Sequence, residues 1–268
     1  MQPSGAWQHA RSVLACRYLC HMSQGVDCVA EKRDVAQDLA GELRRLDGVE
    51  AVILFGSTAR GDAYEESDVD LLVLTCLGSD PGRVRRICSE MRAQKVSLVL
   101  HTSSSFERLK GQDWLFVRHL RDEGVTLWET GTEFGDRSCV SFPGQSAVIR
   151  EIQHGRRDVE RLSDIERYGD DFLFPLANVY GLTKRIAMLA NARAGISVFN
   201  RERAICACAQ LYPDVAAELG QLRLLAPFYA QTRGVRGANG PFSSDGAGRQ
   251  LLASTEALER VIDAVSVA

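Results

Sequence analysis

The sequence has no stretch approaching the roughly 20 apolar residues that a membrane-spanning helix needs, so the chain reads as soluble and without a membrane partner. It also has no marked excess of either charge. Its 32 Lys and Arg against 35 Asp and Glu give a net charge of −3, which excludes a globally basic nucleic-acid binder and leaves only a local basic cleft. No disulfide framework is visible. The eight cysteines, Cys16, Cys20, Cys28, Cys76, Cys88, Cys139, Cys206 and Cys208, lack regular spacing in a 268-residue chain, and several fall in apolar or helical runs. They read as reduced thiols of a cytoplasmic protein. Cys16, Cys20 and His21 stand one turn apart on a helix, but without a second paired cluster they are read as incidental rather than as zinc ligands. No internal repeat is present. The first 28 residues lack any acid before Asp27 and carry Arg11 and Arg17, a composition loosely like a transit peptide. They are read as a leader, a short helix or an extension from start-site choice ahead of Met22.

Against these absences, the apolar and charged fractions, 45% and 25%, are ordinary for a globular protein, and the length suits one or two domains. One stretch carries the chemistry, AVILFGSTARGDAYEESDVDLLVL from Ala51 to Leu74. It reads as an apolar strand, a Gly-Ser turn into a short helical segment, a polar loop and a second apolar strand. Side chains alternate along a strand, so Asp68 and Asp70 share one face about 7 Å apart while Val69 points the other way. Two such carboxylates can hold a divalent metal. Gly56 permits a tight turn and close approach of backbone to a ligand, and the amides from Ser57 to Arg60 are placed to receive a phosphate, to which the Ser57 hydroxyl adds a hydrogen bond. Metal-bridging acids beside a phosphate cradle describe phosphoryl or nucleotidyl transfer.

Gly56-Ser57, ten intervening residues and Asp68-x-Asp70, with Arg60-Gly61 and Ser67 alongside, resemble the minimal nucleotidyltransferase motif of the DNA polymerase β superfamily. The resemblance covers roughly residues 45 to 130. It implies a metal-dependent transferase that moves a nucleoside monophosphate from a nucleoside triphosphate such as ATP to an acceptor hydroxyl. Asp68 and Asp70 would be the catalytic residues that hold Mg²⁺ or Mn²⁺, Gly56 and Ser57 would seat the triphosphate, and Arg60 would support it. Members of the family commonly carry a third carboxylate on the third strand, where it binds metal and acts as base. In KVSLVLHT the matching position is Ser97, whose neutral hydroxyl is a poor base. Two readings stay open: a working enzyme whose base comes from elsewhere, such as a substrate group or His101 on the same strand face, or a catalytically weak nucleotide-binding or antitoxin-like partner protein.

The expected fold class is α+β, a small mixed β-sheet nucleotidyltransferase domain with flanking helices followed by an α-helical bundle. The expected boundaries are a leader over 1–28, the catalytic domain over 29–130, a connection over 131–145 and a helical acceptor-side domain over 146–268. Val29, Val35, Leu39 and Leu46 have approximately helical spacing, and Asp47-Gly48 ends that helix. Leu71 to Leu74 is apolar enough to be central and covered on both faces. Arg83 to Ala93 reads as a helix with a solvated arginine face, Val96 to Leu100 as a strand, Phe106 to Glu123 as one helix and Val125 to Trp128 as a short strand. His119 is read as a surface or capping histidine.

From Ser146 onward four segments show apolar residues at helical spacing, predicting a bundle of four or five helices, with Pro175 beginning or kinking the second and Gly195 ending it. Similar helical partners accompany antibiotic and toxin-associated nucleotidyltransferases. Bundle RNases that accompany minimal nucleotidyltransferases share an Arg, four to six residues, then His. With histidines only at 9, 21, 101, 119 and 154, the helical half lacks that pattern and a nuclease is not expected. Lys184 is the candidate contact to the triphosphate from this half, with Arg185 beside it and Tyr180 one turn earlier. Thr232 to Gly248 reads as a glycine-rich loop in which Arg233 and Arg236 could close over a ligand. A tRNA end, a protein side chain and an aminoglycoside all remain open as acceptors, as do a homodimer and a toxin–antitoxin pairing.

Overall fold

The computed structural model describes residues 28–65, 67–90, 95–131, 143–232 and 244–267. The Cys16, Cys20 and His21 group, Arg92, Arg233 and Arg236 lie outside them. The chain divides into two compact units, Met1–Val140 and Ser141–Ala268.

In the first unit, helix α1 (28–43) leads into β1 (Val49–Phe55), the short α2 (Gly56–Arg60) and β2 (Val69–Thr75). Then follow α3 (Pro81–Glu90), β3 (Val96–Thr102), α4 (Ser103–Gln112), α5 (Trp114–Glu123) and β4 (Val125–Glu129). The strands form one mixed sheet in the order β3-β2-β1-β4. β1 runs antiparallel to β2 and β4, whereas β2 and β3 are parallel.

Strand alternation divides the core into two layers. Val52, Leu54, Leu71 and Val73 pack with Leu39 and Leu43 of α1 and Val84 and Cys88 of α3. Ile53, Phe55, Leu72 and Leu74 pack with Phe106 of α4 and Val117 and Leu120 of α5. β2 is therefore covered on both faces, as its apolar run implies. Each fully buried Leu, Ile or Val contributes about 1.5–3 kcal/mol relative to exposure, so this two-sided burial fixes where the β1 and β2 ends must lie.

The continuous helix expected over Phe106 to Glu123 is instead two helices. Asp113 leaves helical geometry at φ −126° and ψ 62°, and its carboxylate accepts from Phe116 N at 3.4 Å, so the residue N-caps α5.

The second unit is helical: α6 (Gln145–Leu162), α7 (Leu173–Arg193), α8 (Arg201–Leu211), α9 (Ala216–Arg223), α10 (Ala226–Thr232) and α11 (Ser244–Val267). Six α-helices thus stand among the described residues where four or five were expected. Pro213 starts a 3-10 turn that separates α8 from α9. Pro175 sits in the first turn of α7, where a missing amide costs nothing. α11 begins inside the expected glycine-rich loop. α7 is the bundle's central helix, with Leu176, Val179, Ile186, Leu189 and Ala190 at most 1% exposed. Among the described residues no helix is long and apolar enough to cross a membrane.

Candidate active site

β1 ends at Phe55 directly opposite Asp70. The chain must reverse there at once, and it does so through Gly56 at φ +73°, a conformation that favours glycine. A Cβ at this position would fall 2.2 Å from Asp70 Oδ2, so the turn and the carboxylate pack against each other with no room for a side chain. The close approach expected of Gly56 toward a ligand is thus first an approach to Asp70. On the far side of the turn, the Thr58 hydroxyl lies 3.5 Å from the Asp68 carbonyl, and Ser57 O accepts from the amides of Gly61 and Asp62, each at 3.0 Å. Gly56, Ser57, Asp68 and Asp70 are consequently brought together, with Asp68 and Asp70 half-buried on one side and Val69 fully buried on the other.

The parallel β2–β3 ladder supplies the facing wall. Asp70 pairs with Ser97, which places the hydroxyl in the position expected for the third acid. One step earlier, Val69 N donates to Lys95 O at 2.8 Å, and the Lys95 ammonium lies 3.3 Å from Asp68 Oδ1. His101 is not part of this wall. It pairs with Leu74, four residues and about 13 Å along β3 from Ser97, and its Nδ1 is 3.1 Å from Ser105 Oγ. His101 is therefore too far along β3 to serve as the base opposite Asp70.

Helix α5 clamps the turn from below. Phe55 meets Phe116 and His119 edge-on at 5.5 and 5.7 Å, and Arg60 at the end of α2 donates to Glu123 at 2.8 Å and to Asp62 at 3.2 Å. His119 Nε2 lies 3.1 Å from the same Glu123 oxygen, so this histidine is neither a surface nor a capping residue. Burial by itself would raise the Glu123 carboxyl, but the hydrogen bonds and charges of His119 and Arg60 outweigh it and hold it below the ordinary glutamate value. Arg60 is thereby paired with two acids of its own unit. From α1, Arg33 donates to Thr58 O and Ala59 O at 3.3 and 3.1 Å, closing the open carbonyls of α2, while the buried Lys32 donates to Glu65 O at 3.0 Å. The residues that pattern-reading missed are Lys95, Glu123 and Arg33. Only the His119–Glu123 spacing of one helical turn left a trace in the sequence.

Lys184 lies in the second unit, 5.1 Å from the Tyr229 ring centroid and 3.4 Å from its hydroxyl. Arg201 approaches the same ring at 4.9 Å, and the Tyr180 ring lies tilted beside it at 5.5 Å while its hydroxyl donates to Glu202 at 2.7 Å. Burial first, and then Glu202, push the Tyr180 hydroxyl well above its ordinary value, so it stays a donor. Arg185 pairs with Glu151 at 2.6 Å.

The donor set suits Mg²⁺ or Mn²⁺ bound together with a nucleotide. Among the described residues no three His, Cys, Asp or Glu side chains gather as a metal group. Two carboxylates plus substrate phosphate oxygens are, however, what Mg²⁺ ordinarily uses in place of an all-protein cage.

A family model described as the nucleotidyltransferase domain matches residues 37–123. A Methanocaldococcus jannaschii protein that carries, by inference, the name protein adenylyltransferase is 35% identical over 82 residues, which span 30% of this chain and 79% of that protein. Among solved structures, a spectinomycin adenyltransferase from Enterococcus faecialis, crystallised with ATP and spectinomycin, is 13% identical at a TM-score of 0.48, covering 86% of this chain and 99% of that one. A toxin–antitoxin structure with AMP-PNP is 19% identical at a TM-score of 0.34, covering 46% of this chain and 98% of that one.

Proposed function

The chain belongs to the nucleotidyltransferase family of the DNA polymerase β superfamily and is a nucleotidyltransferase, and from that premise we propose that it transfers a nucleoside monophosphate, with divalent-metal help, from a nucleoside triphosphate to an acceptor hydroxyl. The observation that carries this reading is the Asp68–Asp70 face closed against the backbone of Gly56. The acceptor oxygen forms a bond to the α-phosphorus, the bond from that phosphorus to the bridging oxygen breaks, pyrophosphate leaves, and the hydroxyl proton passes to a base or to water. Mg²⁺ or Mn²⁺ held by Asp68 and Asp70 would supply charge neutralisation at the phosphate oxygens.

The residues of this chain have separate tasks. Gly56 and Ser57 seat the triphosphate, Asp68 and Asp70 hold the metal, and α5 and α1 keep the turn in place so that the reacting groups are presented in line. Lys184, with Arg201 beside it on Tyr229, is the candidate phosphate contact of the second unit. ATP as the donor, and a protein hydroxyl as one acceptor, are supported by the name of the Methanocaldococcus relative. A tRNA end and an aminoglycoside are the competing acceptors.

Labelled triphosphates with Mg²⁺, offered to total tRNA, lysate protein and an aminoglycoside panel, test the reading. Label should enter one acceptor class and be lost in Asp68→Ala and Asp70→Ala; transfer that survives both changes removes this site from the reaction. A second reading, nucleotide binding with little turnover, is favoured by Ser97 facing Asp70. Tight nucleotide binding with no product on any acceptor would select it.

A further inference from the structure

Four side chains face one another across the β2–β3 ladder. Asp68 and Asp70 stand on β2 and its approach, and Lys95 and Ser97 on β3 and its approach. Where a third acid would make this wall strongly negative, two carboxylates oppose one ammonium and one neutral hydroxyl, a net of one negative charge. The Asp68 side chain is only 9% exposed, whereas that of Lys95 is 62% exposed. Its four-carbon stem thus reaches inward from solvent to an acid whose own position is fixed. With its ammonium in solvent, the pair contributes about 1 kcal/mol or less to the fold, so the sheet does not depend on it. At 3.3 Å it nonetheless places a positive charge on a carboxylate oxygen that a divalent cation would need.

We propose that Lys95 is a metal-competing counter-ion: it neutralises Asp68 in the nucleotide-free protein, so that a divalent cation binds weakly alone and well only when a nucleotide brings further oxygen ligands. This rests on the metal-dependent reading of Asp68 and Asp70. The required freedom is present, because the Lys95 side chain is mostly in solvent. Nucleotide phosphates add several negative charges at the wall and offset the ammonium, so release of Lys95 accompanies occupation of the site.

The test measures Mn²⁺ binding to the full-length, nucleotide-free protein by electron paramagnetic resonance of the free ion. Removing one unit charge close to the ligand should tighten Mn²⁺ binding roughly fivefold in Lys95→Met, while Lys95→Arg should stay within about twofold of the native protein. With a non-hydrolysable nucleotide present, the difference between native protein and Lys95→Met should shrink. A purely structural role would instead weaken binding in Lys95→Met through disorder of the wall, and a thermal melt on the same samples reports that disorder directly. Unchanged or weaker Mn²⁺ affinity in a normally melting Lys95→Met protein overturns the proposal. Mn²⁺ binding that survives in Asp70→Asn, or is absent throughout, overturns the two-aspartate metal reading and this inference with it.

Discussion

The network beneath α2 and the ladder between β2 and β3 each hold a cation against acids, and they do so in opposite ways. Arg60 is 17% exposed and divided between Asp62 and Glu123, with His119 on the far side of Glu123. Lys95 is 62% exposed and, among the described residues, reaches the Asp68 carboxylate. A half-buried cation with two partners is scaffold, since removing it strands charge away from water. An exposed cation on one partner is exchangeable. Basic residues near the Gly56–Ser57 turn thus divide by burial and partner number, and proximity to the motif in sequence is a poor guide: Arg60 stands inside the motif and Lys95 well outside it.

The largest expected effect comes from the turn that both regions support. Gly56→Ala puts a Cβ against Asp70 at a positive φ, and nucleotidyl transfer should fall about 100-fold with a stability loss of about 1–3 kcal/mol, read by steady-state kinetics and urea melts. If activity survived, the packing of Gly56 on Asp70 would not set the site. Next, Arg60→Met should cost about 2 kcal/mol of stability while leaving nucleotide affinity of the folded protein within about threefold. A large loss of affinity with normal stability would return Arg60 to the phosphate and erase the contrast with Lys95.

Glu123 gives the same network a pH signature. A carboxyl lowered in the folded state adds stability that is present above its unfolded value and is lost as the pH falls through the lowered one. Below about pH 4.3 the native protein should therefore lose stability more steeply than Glu123→Gln, as measured by chemical denaturation across pH. The smallest change is Ser97→Asp, which restores an acid opposite Asp70. Turnover should rise a few-fold if the missing carboxylate limits it, with stability moving by no more than about 0.5 kcal/mol. An unaltered rate would mean that the base lies elsewhere.

Much of the first unit is legible because its signals are local. The apolar run Leu71 to Leu74, the period-two aspartates and the Gly56 turn can each be read from residues beside them in the chain, and the place of Ser97 follows from counting along one strand. What escaped depends on distant pairing. Glu123 meets Arg60 across 63 positions, Lys95 meets Asp68 only through the parallel ladder, and nothing in either neighbourhood announces the partner. The break at Asp113 was hidden for a different reason: apolar residues keep helical spacing on both sides of it, so periodicity runs straight through a point where one carboxylate caps a new helix. At Pro213 the apolar spacing likewise runs on, but the missing amide starts a 3-10 turn between α8 and α9.

β3 stands at one end of the sheet order and is half-exposed along all seven residues. Its side chains present opposite faces at every step, so sliding the strand by a single position along β2 would turn Val96 or Leu98 toward Asp70 and carry both Lys95 and Ser97 out of alignment. The polarity of the reaction wall is therefore a property of strand registration as much as of residue identity. A one-residue slip of β3 along β2 would rewrite the site without touching any aspartate.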